Sequence, residues 1–442
     1  MVAYLVSLGI FTATFALFGL GLNLQWGFTG LINFGHVAFL ALGAYATVLL
    51  SLAGVPLLIA VLAGALLAAL LGLAIGISTL RLREDYLAIV TIGVAEVVRL
   101  VAVNEEWLTR GSRGVYGYPL PLAKFAPNLA LKLGMIGILT VIIGLAGWQL
   151  WRWLERQVPG QPQRSGLPSR RESPWQQIAL PLAYLICVIL VEIGLWQIIS
   201  QLLAKQGLSL WAALMMILGT LGSLACVYAR LEQPLKAGLA QPKGTLLVGA
   251  TTLCAGLVGM VYWALVQGLY KYSFKAGLLW LLIVVLAFVF WQLERWVNSP
   301  WGRVLKAIRE DEEVAKALGK NVFAYKLQAL MIGGAIAGIA GAFYAWQLTF
   351  INPDGFISLI TFQAWTIVVL GGAGNNVGTL LGAAIFWAYN TVTRFVLPEL
   401  VPLDDARLGA LRVMVIGLLL IILMMWRPQG ILGKKEELTL GR

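Results

Sequence analysis

The stretch LLIAVLAGALLAALLGLAIGISTL, residues 57–80, contains no charged side chain and no proline. An α-helix rises about 1.5 Å per residue, so a run of this length crosses the roughly 30 Å hydrocarbon core of a bilayer. Its glycines and alanines are of the kind that let membrane helices approach one another closely. The stretch therefore predicts a membrane-spanning helix that packs tightly against its neighbours.

The rest of the chain has the same character. Of its 442 residues, 60% are hydrophobic and only 12% are charged. A soluble domain could not cover so much apolar surface. The sequence therefore predicts an all-α fold, a polytopic transmembrane helix bundle of about 12 spans with broken or re-entrant segments. The predicted spans are residues 3–23, 36–54, 57–80, 86–103, 134–151, 177–200, 209–229, 245–270, 277–294, 327–349, 376–397 and 409–426.

Basic residues lie mostly in the loops between these runs. The net charge of +12 therefore indicates membrane topology and not a nucleic-acid partner. Lysine and arginine are most frequent in residues 152–175, 230–243 and 295–326 and after residue 426. Because cytoplasmic loops carry the excess of these residues, we expect the segment 300–326 and the C-terminus in the cytoplasm. The orientation of the N-terminus stays open.

Two polar, glycine-containing segments interrupt the apolar runs. The run 357–370 is too short to cross alone and leads into GGAGNN, residues 371–376, which predicts a re-entrant or broken pair with the span 376–397. Near the N-terminus, NLQWGFTGLINFGH (23–36) separates two spans. Transporters place substrate sites at such breaks. For residues 23–36, a short loop at one membrane face fits as well as a broken helix that lines a pathway.

The two breaks supply the candidate residues of a substrate pathway. The side chains of Asn33, His36 and Asn375 are candidate polar lining groups, although a lone histidine on an apolar segment is more often a packing residue. Glycines at the second break would allow close approach of the backbone. The full set is Asn33, His36, Gly371, Gly372, Gly374 and Asn375.

The segment SPWGRVLKAIREDEEVAKALGKNV, residues 299–322, is unusually rich in charge. Serine followed by proline is a helix start, and Gly319 stands where a helix C-terminal glycine would. Apolar residues recur at incomplete helical spacing at Val304, Ile308, Val314 and Leu318. The pattern predicts a short amphipathic helix at 300–320 under the membrane. A charged connector without a partner is the alternative, but it would not need the apolar stripe.

The motif of Glu313, Val314 and Ala315 followed by Gly319 resembles the E-A-A-x-x-x-G spacing of ABC importer permeases, with valine for the first alanine. Longer segments, covering about two thirds of the chain, are similar to branched-chain amino acid permeases of the LivM type. In one of them, Arg110 and Arg113 depart from the small and acidic residues usual in the family. These segments are GLNLQWGFTGLINFGHVAFLALGAYA (21–46), LRLREDYLAIVTIGVAEVVRL (80–100), TRGSRGVYGYP (109–119), ALGKNVFAYKLQALMIGGAIAGIAGAFYA (317–345), VVLGGAGNNVGTLLGAA (368–384) and RPQGILG (427–433).

The resemblance implies a multi-pass permease subunit of an ABC importer in the plasma (inner) membrane, with a coupling helix that docks on an ATPase. The implied substrates are neutral, branched-chain or other hydrophobic amino acids, with urea or a short-chain amide as the alternative. The implied partners are two ABC ATPase subunits, a second homologous permease subunit, a periplasmic or extracellular substrate-binding protein and membrane lipid. No cofactor is expected on this chain, because the partner subunits would bind ATP. The implied coupling residues are Arg309, Glu313, Ala315 and Gly319.

Residues 125–275 depart from the family pattern, because family members usually cross the membrane once between the glycine-rich loop and the coupling helix. The sequence therefore predicts an N-terminal permease part at 1–124, inserted extra transmembrane helices at 125–275, and a C-terminal permease part at 276–442. The insert includes a flexible cytoplasmic loop at 155–175, rich in Gln, Pro, Ser and Arg. The role of the insert stays open.

Enzymatic chemistry on this chain is not expected. The sequence contains no G-x-x-x-x-G-K-[ST] phosphate loop and no catalytic constellation. Cys187, Cys226 and Cys254 lie in separate apolar runs without metal-ligand spacing, so no metal site is predicted. A secondary transporter or channel, which would need no ATPase, is the rival class.

Overall fold

The computed structural model describes residues 2–80, 84–123, 125–157, 261–400, 404–426 and 430–433. The predicted spans 177–200 and 209–229, most of 245–270, most of the 155–175 loop and the three cysteines lie outside these residues.

Long helices form over the apolar runs, because a helix satisfies the backbone hydrogen bonds that lipid cannot. Six helical segments in the described part of the chain are long and apolar enough to cross a membrane. The prediction of an all-α polytopic bundle is confirmed, whereas the number of spans stays a prediction. The described helices include α1 Val2–Leu22, α2 Val37–Leu52, α3 Leu57–Thr79, α4 Glu84–Asn104, α5 Leu129–Gln157, α6 Phe274–Val297, α7 Pro300–Glu310, α8 Glu312–Ala317, α9 Val322–Leu348, α10 Ser358–Gly371, α11 Asn376–Leu400 and α12 Asp405–Trp426, and a four-residue helix, Glu106–Thr109, follows α4.

A short two-stranded β-ladder was not predicted. Strand β1, Val115–Tyr116, pairs antiparallel with strand β2, Phe350–Ile351. Strands of two residues are too short to leave an alternating pattern in the sequence. The pairing ties the glycine-rich loop after α4 to the end of α9.

Helices α2, α3 and α9 pack through small residues. A Cβ atom added to Gly43 would lie 2.1 Å from the carbonyl oxygen of Gly338 on α9, and one added to Gly341 would lie 2.1 Å from that of Leu40. A Cβ on Gly338 would come within 2.9 Å of the Ala68 side chain of α3. The three helices therefore touch backbone to backbone, the arrangement that small residues permit in membrane bundles.

Replacing Gly43 by alanine is expected to lower the stability of the folded bundle by about 1–3 kcal/mol, because the added methyl group overpacks a backbone contact. The measurement is unfolding of the purified protein in detergent. Gly417→Ala is the matched control, since a Cβ there meets nothing within 4 Å. Equal stability of the two variants would contradict this packing.

The chain divides into two compact units, one of Ala3–Asn128 with Tyr272–Arg442 and the other of Leu129–Lys271. Within the second, the hydroxyls of Thr140 and Tyr262 lie 2.8 Å apart. All candidate site residues belong to the first unit. The predicted division into 1–124, 125–275 and 276–442 stays a prediction.

Candidate functional site

The charged segment folds as two short helices, because Asp311 interrupts it. Asp311 has extended backbone (φ −156°, ψ 110°), and its carboxylate accepts hydrogen bonds from the backbone N–H groups of Glu313 and Val314 at 2.9 and 3.0 Å. A side chain that caps a helix in this way satisfies donors that would otherwise lack a partner. The structure thus divides the predicted 300–320 helix into α7 and α8.

The inward face of these helices is held on α9 by apolar contacts. Ile308, Ala315 and Val322 form a buried cluster, against which Val304 and Tyr325 pack. Ala315, one of the predicted coupling residues, therefore lies in the packing core of the segment and not on its outer surface.

An ion pair beside the cluster strengthens the same attachment. The ammonium of the buried Lys326 on α9 lies 2.5 Å from the Glu312 carboxylate, and Lys316 approaches that carboxylate to 3.1 Å. Burial alone would raise the pKa of Glu312, but hydrogen bonds from Lys326 and Lys316 outweigh it and leave the pKa below its ordinary value. The pairing therefore stabilises the segment above the ordinary glutamate pKa and is lost as the pH falls through the lowered one.

The outward face of α8 is apolar at two positions. Val314 is 55% exposed and Leu318 is 71% exposed, four residues apart. Beside them, the Glu313 side chain is 83% exposed and pairs with Lys316 at 2.9 Å. The four apolar residues that the sequence suggested as one stripe therefore lie on two different faces. Val304 and Ile308 pack inward, whereas Val314 and Leu318 point away from the bundle.

Gly319 ends the segment with a positive φ of +73°. A Cβ atom there would meet nothing within 4 Å, so the requirement for glycine comes from the backbone conformation and not from space. The turn directs the chain from α8 into α9, whose first turn is capped by the Asn321 side chain.

The N-terminal break begins as a π-helical turn at the end of α1, Asn23–Gly27, and continues as irregular chain to α2. Its polar side chains are buried and bonded within the protein. Gln25 donates to the carbonyl of Leu330 on α9 at 3.0 Å, and Asn33 donates to the Gln25 side chain at 2.9 Å. His36 Nε2 lies 3.2 Å from the carbonyl oxygen of Phe18, and its ring stacks on the Phe18 ring.

The C-terminal break separates α10 from α11. Gly372 and Gly374 have φ values of +113° and +78°, and a Cβ on Gly371 would lie 1.9 Å from the carbonyl oxygen of Gly378. The turn therefore needs glycine for conformation and for close contact alike. Asn375 holds both sides of it, since its side chain accepts from the N–H of Gly378 and donates to the carbonyl of Leu432.

Residues 430–433 lie against this break and bond to the end of α10. The backbone N–H groups of Ile431 and Leu432 donate to the carbonyl oxygens of Leu370 and Gly371, each at 3.0 Å. These two carbonyls belong to the last turn of α10, where the helix offers no N–H donors of its own to its carbonyl oxygens.

The two breaks meet at Asn23, which the sequence analysis did not single out. Its side-chain oxygen accepts from the N–H of Gly374 at 2.9 Å, and its side-chain nitrogen donates to Asn376 at 3.0 Å. A Cβ on Gly27 would lie 2.1 Å from the Asn23 oxygen and 2.4 Å from the nitrogen of Gly374. We call these residues, Asn23, Gly27, Gly374 and Asn376, the break junction.

The break junction contacts α7 at one point and the end of α6 at another. The Arg309 guanidinium donates to the carbonyl of Gly27. Asn376 donates to the carboxylate of Glu294, in the last turn of α6, at 3.0 Å. Asn23 and Asn376 lie in the two polar segments of the sequence, but nothing in the sequence paired them or pointed to Glu294.

The comparison with protein families decides the relationship of the chain. Residues 4–192 and 265–424 match the family described as the permease component of the branched-chain amino acid transport system. The chain belongs to this permease family. Residues 193–264 fall outside the match and lie within the predicted insert, while residues 125–192 are matched.

Individual relatives of this permease are found in bacteria and archaea. It is 24% identical to the high-affinity branched-chain amino acid transport system permease protein LivM of Escherichia coli (strain K12), over 97% of this chain and 69% of that protein. It is 30% identical to a probable branched-chain amino acid transport permease protein LivM of Methanocaldococcus jannaschii, over 36% of this chain and 47% of that one. No solved structure matches the chain.

Within the permease, the structure brings the predicted pathway residues to the two breaks. Asn33 and His36 are buried in the first, and Gly371, Gly372, Gly374 and Asn375 form the second. Their role in a substrate pathway stays a prediction. Arg309, predicted as a coupling residue, reaches toward the first break and not outward beside Glu313.

Proposed function

We propose that this permease is the membrane-spanning subunit of an ABC importer that moves branched-chain or other hydrophobic amino acids into the cytoplasm by alternating access. The observation that carries the proposal is the outward pair of Val314 and Leu318. Apolar side chains exposed among charges, on a segment whose other face is fixed by buried contacts, suit a docking surface. Because buried contacts fix the α7–α8 segment to α9, movement of a docked partner would move the helix bundle and not the segment alone.

The proposed partners are those that the resemblance to ABC importer permeases implies. Two ABC ATPase subunits bind ATP and supply the motion, a second homologous permease subunit completes the pathway, and a periplasmic or extracellular substrate-binding protein delivers the substrate. The relatives are transport permease proteins, which are not themselves enzymes. This chain accordingly contributes the path and not the hydrolysis.

The proposed location is the inner membrane, with the α7–α8 segment and the C-terminus in the cytoplasm. The basic residues of 295–326 support that orientation. Membrane lipid covers the exposed outer face of α3, where Leu58, Leu62 and Leu66 are each more than half exposed. In water such a face would cause association, but acyl chains solvate it.

Hydrophobic amino acids are the proposed substrate class, because the relatives are named as branched-chain amino acid permeases. The importer directs them inward as the break junction and the helices beside it, α9 and α11, rearrange between two states. Urea and short-chain amides are the competing substrates, and a transporter or channel without an ATPase is the competing class.

The test is purification of the tagged chain from its native membrane, followed by uptake measurements in vesicles. We expect two ATPases and a second permease to co-purify, and leucine uptake to require ATP. Uptake of alanine and urea, measured in parallel, narrows the substrate class. A chain that arrives alone and transports leucine without ATP would contradict the importer.

A further inference from the structure

We propose that two hydrogen-bonded links carry the motion of the α7–α8 segment to the two helix breaks, and that Arg309 and Glu294 are the positioning residues at the coupling end of these links. The inference rests on the proposed function, since it concerns how a push from an ATPase reaches the pathway. The links differ in chemistry and end on different breaks, so each can be tested separately.

The first link joins α7 to the N-terminal break. Arg309 is only 19% exposed at its side chain, and its Nη1 donates to the carbonyl oxygen of Gly27. Gly27 is the last residue of the π-helical turn, so the guanidinium lies at the negative end of a helix. One turn earlier, the Lys306 ammonium lies 5.7 Å from the centre of the Phe28 ring. Two cations of one helix thus contact two adjacent residues of the break, one residue each.

The second link joins the end of α6, just before α7, to the C-terminal break. Glu294 accepts from the Asn298 side chain at 3.2 Å, and Asn298 directly precedes Ser299 and α7. The other Glu294 oxygen accepts from Asn376, which is 1% exposed. Asn376 accepts in turn from Asn23, and Asn23 from the N–H of Gly374.

The Glu294 carboxylate determines which group donates and which accepts in every hydrogen bond of the second link. An ionised carboxylate can only accept, so Asn376 must turn its nitrogen to Glu294 and its oxygen to Asn23. Asn23 must then donate with its nitrogen, which leaves its oxygen for the backbone of Gly374. Because each amide in this buried chain has only one allowed orientation, the chain holds its two ends in fixed positions. A shift of the α6–α7 corner is therefore transmitted to the break as a whole.

The first experiment compares Arg309→Gln with Arg303→Gln in the assembled complex. Arg303 is exposed on the same helix, so its variant removes the same charge without touching a break. We expect Arg309→Gln to keep ATPase co-purification and ATP hydrolysis while leucine uptake falls at least about tenfold relative to the control, in the usual range for coupling between sites. Arg309→Lys, which keeps a cation, should recover part of the uptake.

Two results would overturn the first link. Equal uptake by Arg309→Gln and Arg303→Gln would mean that the bond to Gly27 transmits nothing. Loss of ATPase co-purification in Arg309→Gln would make Arg309 a docking residue.

The second experiment exchanges donor and acceptor between Glu294 and Asn376. Asn376→Asp sets two carboxylates against each other and should lower uptake or membrane level at least about tenfold. Adding Glu294→Gln restores one donor and one acceptor, so the double variant should regain what the single variant lost. A double variant no better than Asn376→Asp, or an Asn376→Asp protein with normal uptake, would exclude the second link.

The wild-type complex distinguishes the two levels of the proposal. If wild-type uptake proves independent of ATP, the proposed function fails and the links fail with it. If wild-type uptake needs ATP while every variant behaves as its control, the importer stands and the links alone are wrong.

Discussion

Gly27→Ala is expected to reduce uptake at least about thirtyfold, although the change adds a single methyl group. That methyl would lie 2.1 Å from the Asn23 side-chain oxygen and 2.4 Å from the backbone nitrogen of Gly374. Relieving the overlap costs about 1–3 kcal/mol, and losing the Asn23–Gly374 hydrogen bond leaves a buried donor without a partner for about 1–3 kcal/mol more. Because neither break can move away from the added methyl group without breaking the hydrogen bonds of the break junction, the native arrangement becomes a minor state.

Uptake normalised to the amount of protein in the membrane is the measurement for Gly27→Ala. Gly93→Ala is the control, because a Cβ at that position on α4 meets nothing within 4 Å. Near-normal uptake by Gly27→Ala would show that the two breaks can separate without consequence.

The double variant Val314→Asp with Leu318→Asp is expected to lose ATPase co-purification while it inserts in the membrane normally. Both side chains are more than half exposed, so the bundle loses little internal packing. The few hot-spot residues at the centre of an interface contribute about 2 kcal/mol or more each, and loss of one such residue weakens binding roughly thirtyfold. Two carboxylates in an apolar groove of a partner would add the cost of burying unpaired charge.

Two controls separate shape from charge at this surface. Val314→Ile with Leu318→Met keeps the apolar pair and should retain the ATPase. Ala307→Asp adds a carboxylate to the exposed side of α7 and should do so as well. Normal recovery of the ATPase by the double aspartate variant would remove the outward pair from the docking surface.

Much of the helical framework could be predicted because lipid leaves a polypeptide few choices. The run at 57–80 became the helix Leu57–Thr79, since every backbone hydrogen bond must be made within such a segment. The interruption between α10 and α11 was also predicted, from the cluster of glycines. The run before it was predicted to be too short to cross, but the helical segment Pro353–Gly371 is long and apolar enough to span a membrane.

The division of residues 300–320 into α7 and α8 was harder to predict. Helical spacing treats Val304, Ile308, Val314 and Leu318 as one stripe, but Asp311 breaks the helix and turns the last two outward. The carboxylate of Asp311 before two glutamates is itself a helix-start signal. It was outweighed by the apparent continuity of the apolar pattern.

The break junction could not be predicted from one sequence at all. Asn23 and Asn376 stand 353 residues apart, and no local pattern reports which distant amide completes a buried hydrogen bond. The direction of Arg309 is a similar case. Its side chain could point toward a partner or toward its own chain, and the structure directs it to the Gly27 carbonyl and the Glu310 carboxylate.

The closure of α10 by residues 431 and 432 sets an order on biosynthesis. The ribosome releases α10 first, and α11 and α12 follow before these two residues emerge. Until then, the carbonyls of Leu370 and Gly371 lack the donors that complete the break. The C-terminal break is therefore completed only after α10–α12 have been synthesised, and a nascent chain arrested before residue 431 would carry all of α10–α12 with this break still open.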